Sequence, residues 1–164
     1  SSTLYNAALL SDLKIIERRN HSLPSSYISL GRDATISGDY IDLKFQNITK
    51  YPIYIYGEIK GGAVTFSIYG KNDTPGRNVK IITEVISKKH PQIKVIEDDT
   101  LMEGTVVVEK KAQTGYVVKS YRAIYENGKE IKRESLYTDT YRLSNGVKRV
   151  GTKKTMQQEM LYEY

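Results

Sequence analysis

Two histidines and no cysteine bound the chemistry open to this 164-residue chain. His21 is the residue type for acid–base work near neutral pH, because its ring titrates there. It lies in the polar string Arg18-Arg19-Asn20-His21-Ser22, where a histidine more often fixes a local turn. Asp33, in Gly31-Arg32-Asp33-Ala34-Thr35, reads as an acceptor for the backbone amides of its own turn. The lack of cysteine removes disulfides, Cys-ligated zinc, iron–sulfur clusters and a cysteine nucleophile from these residues. Glu97, Asp98 and Asp99 cluster without EF-hand spacing, and His90 stands apart from His21. No metal and no cofactor is expected.

A second constellation lies further along. Tyr116, Tyr121 and Tyr125, with Tyr137 and Tyr141, are accompanied by Lys119, Arg122, Lys132 and Arg133 around Asn127-Gly128. Flat rings suit the apolar faces of sugars, and the cations attract anionic polymers. The plainer reading is that strand tyrosines pair across strands, and it applies equally to Tyr51, Tyr54, Tyr56 and Tyr69. The net charge of +6 would also suit a nucleic acid. The sequence shows no nucleic-acid-binding motif, however, and its 19 acidic residues are interspersed with the basic ones, so no such partner is expected.

The elements that must carry these residues are mostly strands. Tyr outnumbers Phe 14 to 2, with Val, Ile and Thr abundant, which favours strands over helices. One helix is expected at the start, where Ser1, Ser2 and Thr3 are natural caps and Leu4, Ala7, Ala8 and Leu10 or Ser11 recur at helical spacing. Opening on a cap, with no methionine or basic leader, the chain reads as a piece of a longer protein. Strands are expected from Lys14, after Pro24, and over Ile41–Phe45 with period 2. A hairpin turns at Gly61-Gly62, a second at Asn127-Gly128, and another turn falls at Asn145-Gly146. The Asn, Asp, Pro and Gly of residues 71–78 mark a linker. Residues 1–76 hold 8 basic and 7 acidic groups, and residues 77–164 hold 17 and 12, so the charge steps up there. Sparse apolar positions and dense charge in the second half suit a thin sheet, wet on both faces. The tail 156–164 could add a short helix. No run nears the roughly 18 apolar residues of a membrane span.

The order SSTLYNAALL, ERRNHSLP, LGRDAT, DLKFQN, YPIYI resembles the VanW family of bacterial envelope proteins through about residues 1–70. The order EDDTLMEGT, KAQTGYVVKSYR, NGKEIKRESL, RVGTKK is similar to a G-five-type domain, with Gly104, Gly115, Gly128 and Gly151 in the matching places. This pairing resembles that of Gram-positive surface proteins. The second resemblance implies an elongated single-layer sheet that binds amino sugars or spaces and pairs surface proteins. The first implies a glycine-rich segment and a cysteine just ahead of the STLYNAAL helix, both absent here. A cysteine at a helix N-terminus has a lowered pKa. Followed by a histidine and an aspartate, it gives the layout of papain-like and transglutaminase-like enzymes. On that likeness His21 is the base and Asp33 its orienter, with the nucleophile upstream.

The expected fold is therefore mainly β (α+β): an N-terminal helix packed on antiparallel strands, then an elongated single-layer antiparallel sheet. The expected domains are a partial VanW-like region at 1–72, a linker at 73–77, a G-five-type domain at 78–155 and a tail at 156–164. The leading expectation is an extracytoplasmic cell-wall module of a Gram-positive bacterium. It would bind peptidoglycan or related glycans through Tyr116, Lys119, Tyr121, Arg122 and Tyr125. The rivals are part of a cysteine-dependent enzyme acting on wall peptides through His21 and Asp33, and a surface stalk or pairing module.

Overall fold

The structure, a computed structural model, describes residues 1–154. Its elements are α1 (Ser2–Leu10), β1 (Lys14–Glu17), β2 (Lys44–Gln46), β3 (Tyr54–Lys60), β4 (Ala63–Tyr69), β5 (Arg77–Lys89), β6 (Ile93–Met102), β7 (Val106–Lys110), β8 (Gly115–Glu126), β9 (Lys129–Tyr141) and β10 (Gly146–Lys153). The fold is mainly β with one N-terminal helix, as the residue pattern implies. The chain forms two compact units, one of residues 1–87 with 116–141 and one of 88–115 with the residues from 142 onward. The proposed tail helix at 156–164 lies outside the described residues.

In the first unit a nine-residue helix is too short to persist alone, so its packing decides which face turns inward. The buried stripe is Ser2, Tyr5, Ala8 and Leu9; of the expected Leu4, Ala7, Ala8 and Leu10 or Ser11 only Ala8 is buried, and Leu10 is 48% exposed. Tyr5 and Leu9 form the core with Ala34, and Ile15, Leu43, Ile81, Leu136 and Tyr137 pack around it. The larger Tyr5 ring wins the inward position because it also covers a buried cation, described below. Ser1 does not cap the helix with its side chain. Its hydroxyl donates to the Ala34 carbonyl at 2.5 Å, and the Ser2 hydroxyl accepts from the Ala34 amide at 3.0 Å. The start of α1 is thereby stitched to residues 33–35, and Asp12, in the left-handed conformation at φ 56°, follows its last turn.

Around this core, β1 pairs antiparallel with the three-residue β2, and β3 and β4 form the expected hairpin with Tyr54 opposite Tyr69. The stretch after Pro24 is not a strand. Residues 18–43 are largely irregular, because their backbone groups bond to side chains and local turns instead of a ladder. The Gly31 amide donates to the Tyr141 hydroxyl at 2.7 Å, for example, and the Arg32 amide to the Ser29 carbonyl at 3.1 Å.

A three-stranded sheet in the order β5-β8-β9 completes the unit. β8 and β9 turn at Asn127-Gly128, whose positive φ values of 49° and 82° suit a tight hairpin. This sheet is not wet on both faces. Val118, Ser120, Arg122 and Ile124 of β8 are buried, since Ile81, Leu136 and Tyr137 of the same sheet pack against the core of α1.

The second unit fits the thin-sheet expectation better. Its sheet runs β6-β10-β7, and Ile93, Val95, Val106 and Val108 are each more than half exposed. β10 pairs antiparallel with β7 but parallel with β6, a pairing the hairpin signals gave no hint of. Gly151 is required where β10 leaves register: a Cβ there would stand 2.0 Å from the Met102 carbonyl oxygen.

Candidate functional site

Asp33 and His21 come together at the start of α1. The His21 ring Nδ1 lies 2.7 Å from Asp33 Oδ2, and the His21 backbone amide donates to the same oxygen at 2.6 Å. Because Asp33 is followed by Ala34, which Ser1 and Ser2 hold, the Asp33 backbone lies one residue from the start of the helix. Asp33 is buried, while the His21 side chain keeps 30% of its surface. With an ionised carboxylate facing Nδ1, the proton belongs on Nδ1. Nε2 is then left to accept, and its neighbour is the hydroxyl of the exposed Tyr27 at 3.3 Å.

The other Asp33 oxygen is held from the opposite side. The Tyr141 hydroxyl donates to Oδ1 at 2.5 Å and the Arg18 guanidinium approaches it at 3.3 Å. Burial alone would raise the Asp33 carboxyl. The donors from Tyr141 and His21 and the charge of Arg18 outweigh it and hold the group below the usual carboxylate range. Tyr141 is pushed up, first by burial and then by its bond to Asp33.

Arg18 links these parts. Its Nε donates to the Asp33 carbonyl at 2.6 Å and its Nη1 to Asp139 Oδ1 at 2.5 Å. Its guanidinium lies 5.0 Å from the centre of the Tyr5 ring and 5.1 Å from that of Tyr137. Burial raises the Asp139 carboxyl despite the bond from Arg18, and its Oδ2 has no donor among the described residues. Beside the pair, Asn6 accepts from Arg32 Nε at 2.6 Å and donates to the Arg32 carbonyl. The cation of Arg32 thus meets the side-chain amide of Asn6. Sequence reasoning missed Arg18, which stands in a polar string, and Asp139. Arg18 stands between Glu17 and Arg19, so no local signal marked it for burial.

The tyrosine–cation set divides. Along β8 alternate residues face opposite ways. Tyr116 and Arg122 share the covered face with Val118, Ser120 and Ile124, whereas Lys119, Tyr121 and Tyr125 share the other. Arg122 is buried and engaged inside the fold, with Glu134, Asp12 and the Leu13 carbonyl as partners. On this second face, where Ala123 is buried and Lys119, Tyr121 and Tyr125 are half-buried, the Lys119 ammonium lies 5.5 Å from the centre of the Tyr121 ring, and that of Lys80 4.8 Å from that of Tyr125. Lys132 and Arg133 pair with Glu134 and Glu130. Among the described residues no group of three or more His, Asp or Glu is placed to hold a metal ion, and no helix is long and apolar enough to cross a membrane.

Comparison with known proteins gives two matches. Residues 1–69 match the family model described as VanW like protein, and residues 80–153 match the G5 domain. The chain carries a VanW-like region followed by a G5 domain. Over 81 residues it is 37% identical to YoaR, an uncharacterized protein of Bacillus subtilis (strain 168), a stretch covering 49% of this chain and 27% of that relative. Among solved structures, the IgA1 protease G5 domain is 32% identical over 48% of this chain and 94% of its own, at a TM-score of 0.28. The G5 domain of HP0197 is 16% identical over 46% and 95%, at a TM-score of 0.26. The compact units do not follow the matches, since residues 116–141 of the second pack in one unit with residues 1–87.

The lowered Asp33 carboxyl makes a pH signature. A carboxylate whose folded pKa is depressed contributes stability that is fully present above its unfolded value, near about 3.9. That contribution is lost as the pH falls through the folded value. Asp33→Asn should therefore cost about 3–5 kcal/mol at pH 7, the usual penalty for leaving a buried partner uncompensated. The gap to wild type should narrow steadily below about pH 4. Urea unfolding of both proteins from pH 7 to pH 2.5 checks this, and comparison at each pH cancels the titrations they share.

Proposed function

We propose that the chain belongs to a cell-wall-associated surface protein in which His21 and Asp33 serve as base and orienter for nucleophilic chemistry on a wall peptide. The order of a VanW-like region and a G5 domain supports the surface setting. The 2.7 Å contact between His21 Nδ1 and the buried Asp33, at the mouth of a helix, carries the chemical reading. Asp33 holds the Nδ1 proton and leaves Nε2, beside the Tyr27 hydroxyl, as the nitrogen that takes a proton from a nucleophile. The resulting imidazolium is stabilised by the carboxylate and can return the proton to a leaving amine. The helix N-terminus favours an anion beside it, so a thiolate ahead of Ser1 would stand in a suitable field. The nucleophile is not among these residues, which contain no cysteine.

The test uses a chain extended at its N-terminus by the residues its own gene encodes there. With a cysteine in that extension, wall peptides should be cleaved or transferred, and His21→Ala should lower the rate by about 10²–10⁴-fold. The 164-residue chain alone should show no turnover. An extension without a nucleophile, or full activity in the His21 variant, would remove the catalytic reading.

A second reading is favoured by the Tyr121 face of the β5-β8-β9 sheet, where Lys80, Lys119, Tyr121 and Tyr125 form two cation–ring pairs. In this reading the face docks on wall glycan, with rings against sugars and ammonium groups toward anionic polymer. Retention of the whole chain on purified Gram-positive wall should fall in Tyr121→Ala and Lys119→Ala. It should weaken with salt if charge dominates, because exposed charges are screened within about 8–10 Å at 0.1–0.15 M ionic strength. Equal, negligible retention of wild type and variants would leave a spacer as the better description.

A further inference from the structure

We infer that Tyr141 and Arg18 are positioning residues for the His21–Asp33 pair, so that a site lying in the VanW-like region is completed by a strand of the G5 domain. The inference rests on the proposed role of that pair but concerns how it is built. The two oxygens of Asp33 have separate donors. Oδ2 receives both of its donors from His21, the backbone amide and the ring. Oδ1 receives the Tyr141 hydroxyl and Arg18.

A carboxylate held only through Oδ2 can turn about its Cβ–Cγ bond and lose its aim at the imidazole. Donors on Oδ1 stop that rotation and keep an Oδ2 lone pair directed at Nδ1. Tyr141 adds a second restraint, since its oxygen accepts the Gly31 amide at 2.7 Å, two residues before Asp33. Arg18 is in turn fixed by Asp139, which like Tyr141 lies on β9. The charged and titratable groups facing Asp33 are thus His21, Arg18 and Tyr141, with Asp139 as a like charge across Arg18.

The consequence is a specific division of labour. β9 lies within the second matched region, yet three of its side chains act on the first: Tyr141 on Asp33, Asp139 on Arg18, and Tyr137 through its ring on Arg18. A change in how β9 sits would reach His21 through Asp33. The G5 domain is then more than a spacer, because its hairpin sets the geometry of the base.

The experiment is carbon and nitrogen NMR of the whole chain and of Tyr141→Phe, with Tyr137→Phe as control. It reads the titration of the Asp33 carboxyl and the ring nitrogens of His21. Tyr141→Phe removes one oxygen and keeps the ring. It should move the Asp33 titration upward, since a donor to the ionised form is lost, and the His21 nitrogens should shift from an Nδ1–H form toward a mixture of tautomers. Tyr137→Phe keeps its ring over Arg18 and removes no bond to Asp33, so both signals should stay as in wild type. An unchanged Asp33 titration and His21 tautomer in Tyr141→Phe, or equal shifts in the control, would overturn the inference. Should Tyr141→Phe fail to fold, hydrogen exchange at the Gly31 amide of the wild type decides. Protection supports the Tyr141 bond, and exchange as free as that of an open loop amide refutes it. No substrate or nucleophile enters these measurements, so they stand whether or not the pair proves catalytic.

Discussion

A guanidinium cannot be taken out of water unless nearly all of its donors and both of its faces find partners. The Arg18 side chain is fully buried, and much of the first unit follows from meeting that demand. Its rim is met by Asp33 and Asp139, and its faces by the rings of Tyr5 and Tyr137. These partners come from the helix, from the irregular segment after β1 and from β9. Satisfying one cation therefore fixes which face of α1 turns inward, where residues 31–35 run and how the long hairpin lies against them. A buried ion cluster adds little net stability compared with a well-packed apolar core. Its effect here is to make one arrangement far better than its neighbours.

The His21–Asp33 pair inherits its order from this arrangement. Asp33 is at once a partner of the buried cation and the orienter of an accessible imidazole. The same carboxylate is thus tied to the interior through Oδ1 and presented to the surface ring through Oδ2. Arg122 plays a comparable part at the other end of α1, where it binds Asp12 and the Leu13 carbonyl and so joins β8 to the end of the helix. The positive charge of the second half is in this way partly internal. Part of what remains for an outside partner is carried by Lys80 and Lys119, each over a tyrosine ring of β8.

Much of the fold was legible because its signals are local. The helix after Ser1, the Gly61-Gly62 and Asn127-Gly128 hairpins and the strand-rich second half all follow from spacing and turn chemistry. The order of His21 and Asp33, read with the family resemblance, placed them as a pair, and they lie in contact. What escaped is non-local. Nothing near Arg18 announces that its partner Asp139 lies 121 positions away, so a charge in a polar string reads as solvated. The buried stripe of α1 kept Ala8 but took Tyr5 and Leu9 in place of Leu4, Ala7 and Leu10, because a stripe count weighs apolar residues alike, whereas Tyr5 gains a cation as well as a core. Alternation along β8 separates Arg122 from Lys119, but which face would be covered depends on a helix more than a hundred residues earlier. The parallel β6–β10 pairing likewise joins segments with no turn between them.

The central claim is that Arg18 and Asp139 are bonded across the chain and that this bond selects the arrangement of the first unit. A double-mutant cycle measures it directly, with Arg18→Met, Asp139→Leu and the pair together, each unfolded in urea at pH 7. Arg18→Met leaves Asp139 buried without its donor, Asp139→Leu leaves Arg18 with Asp33 alone, and the double change removes both charges. The account expects a coupling energy of about 1–3 kcal/mol, with the double variant more stable than the single effects add to. Additivity within about 0.3–0.5 kcal/mol, the behaviour of residues that do not touch, would contradict it.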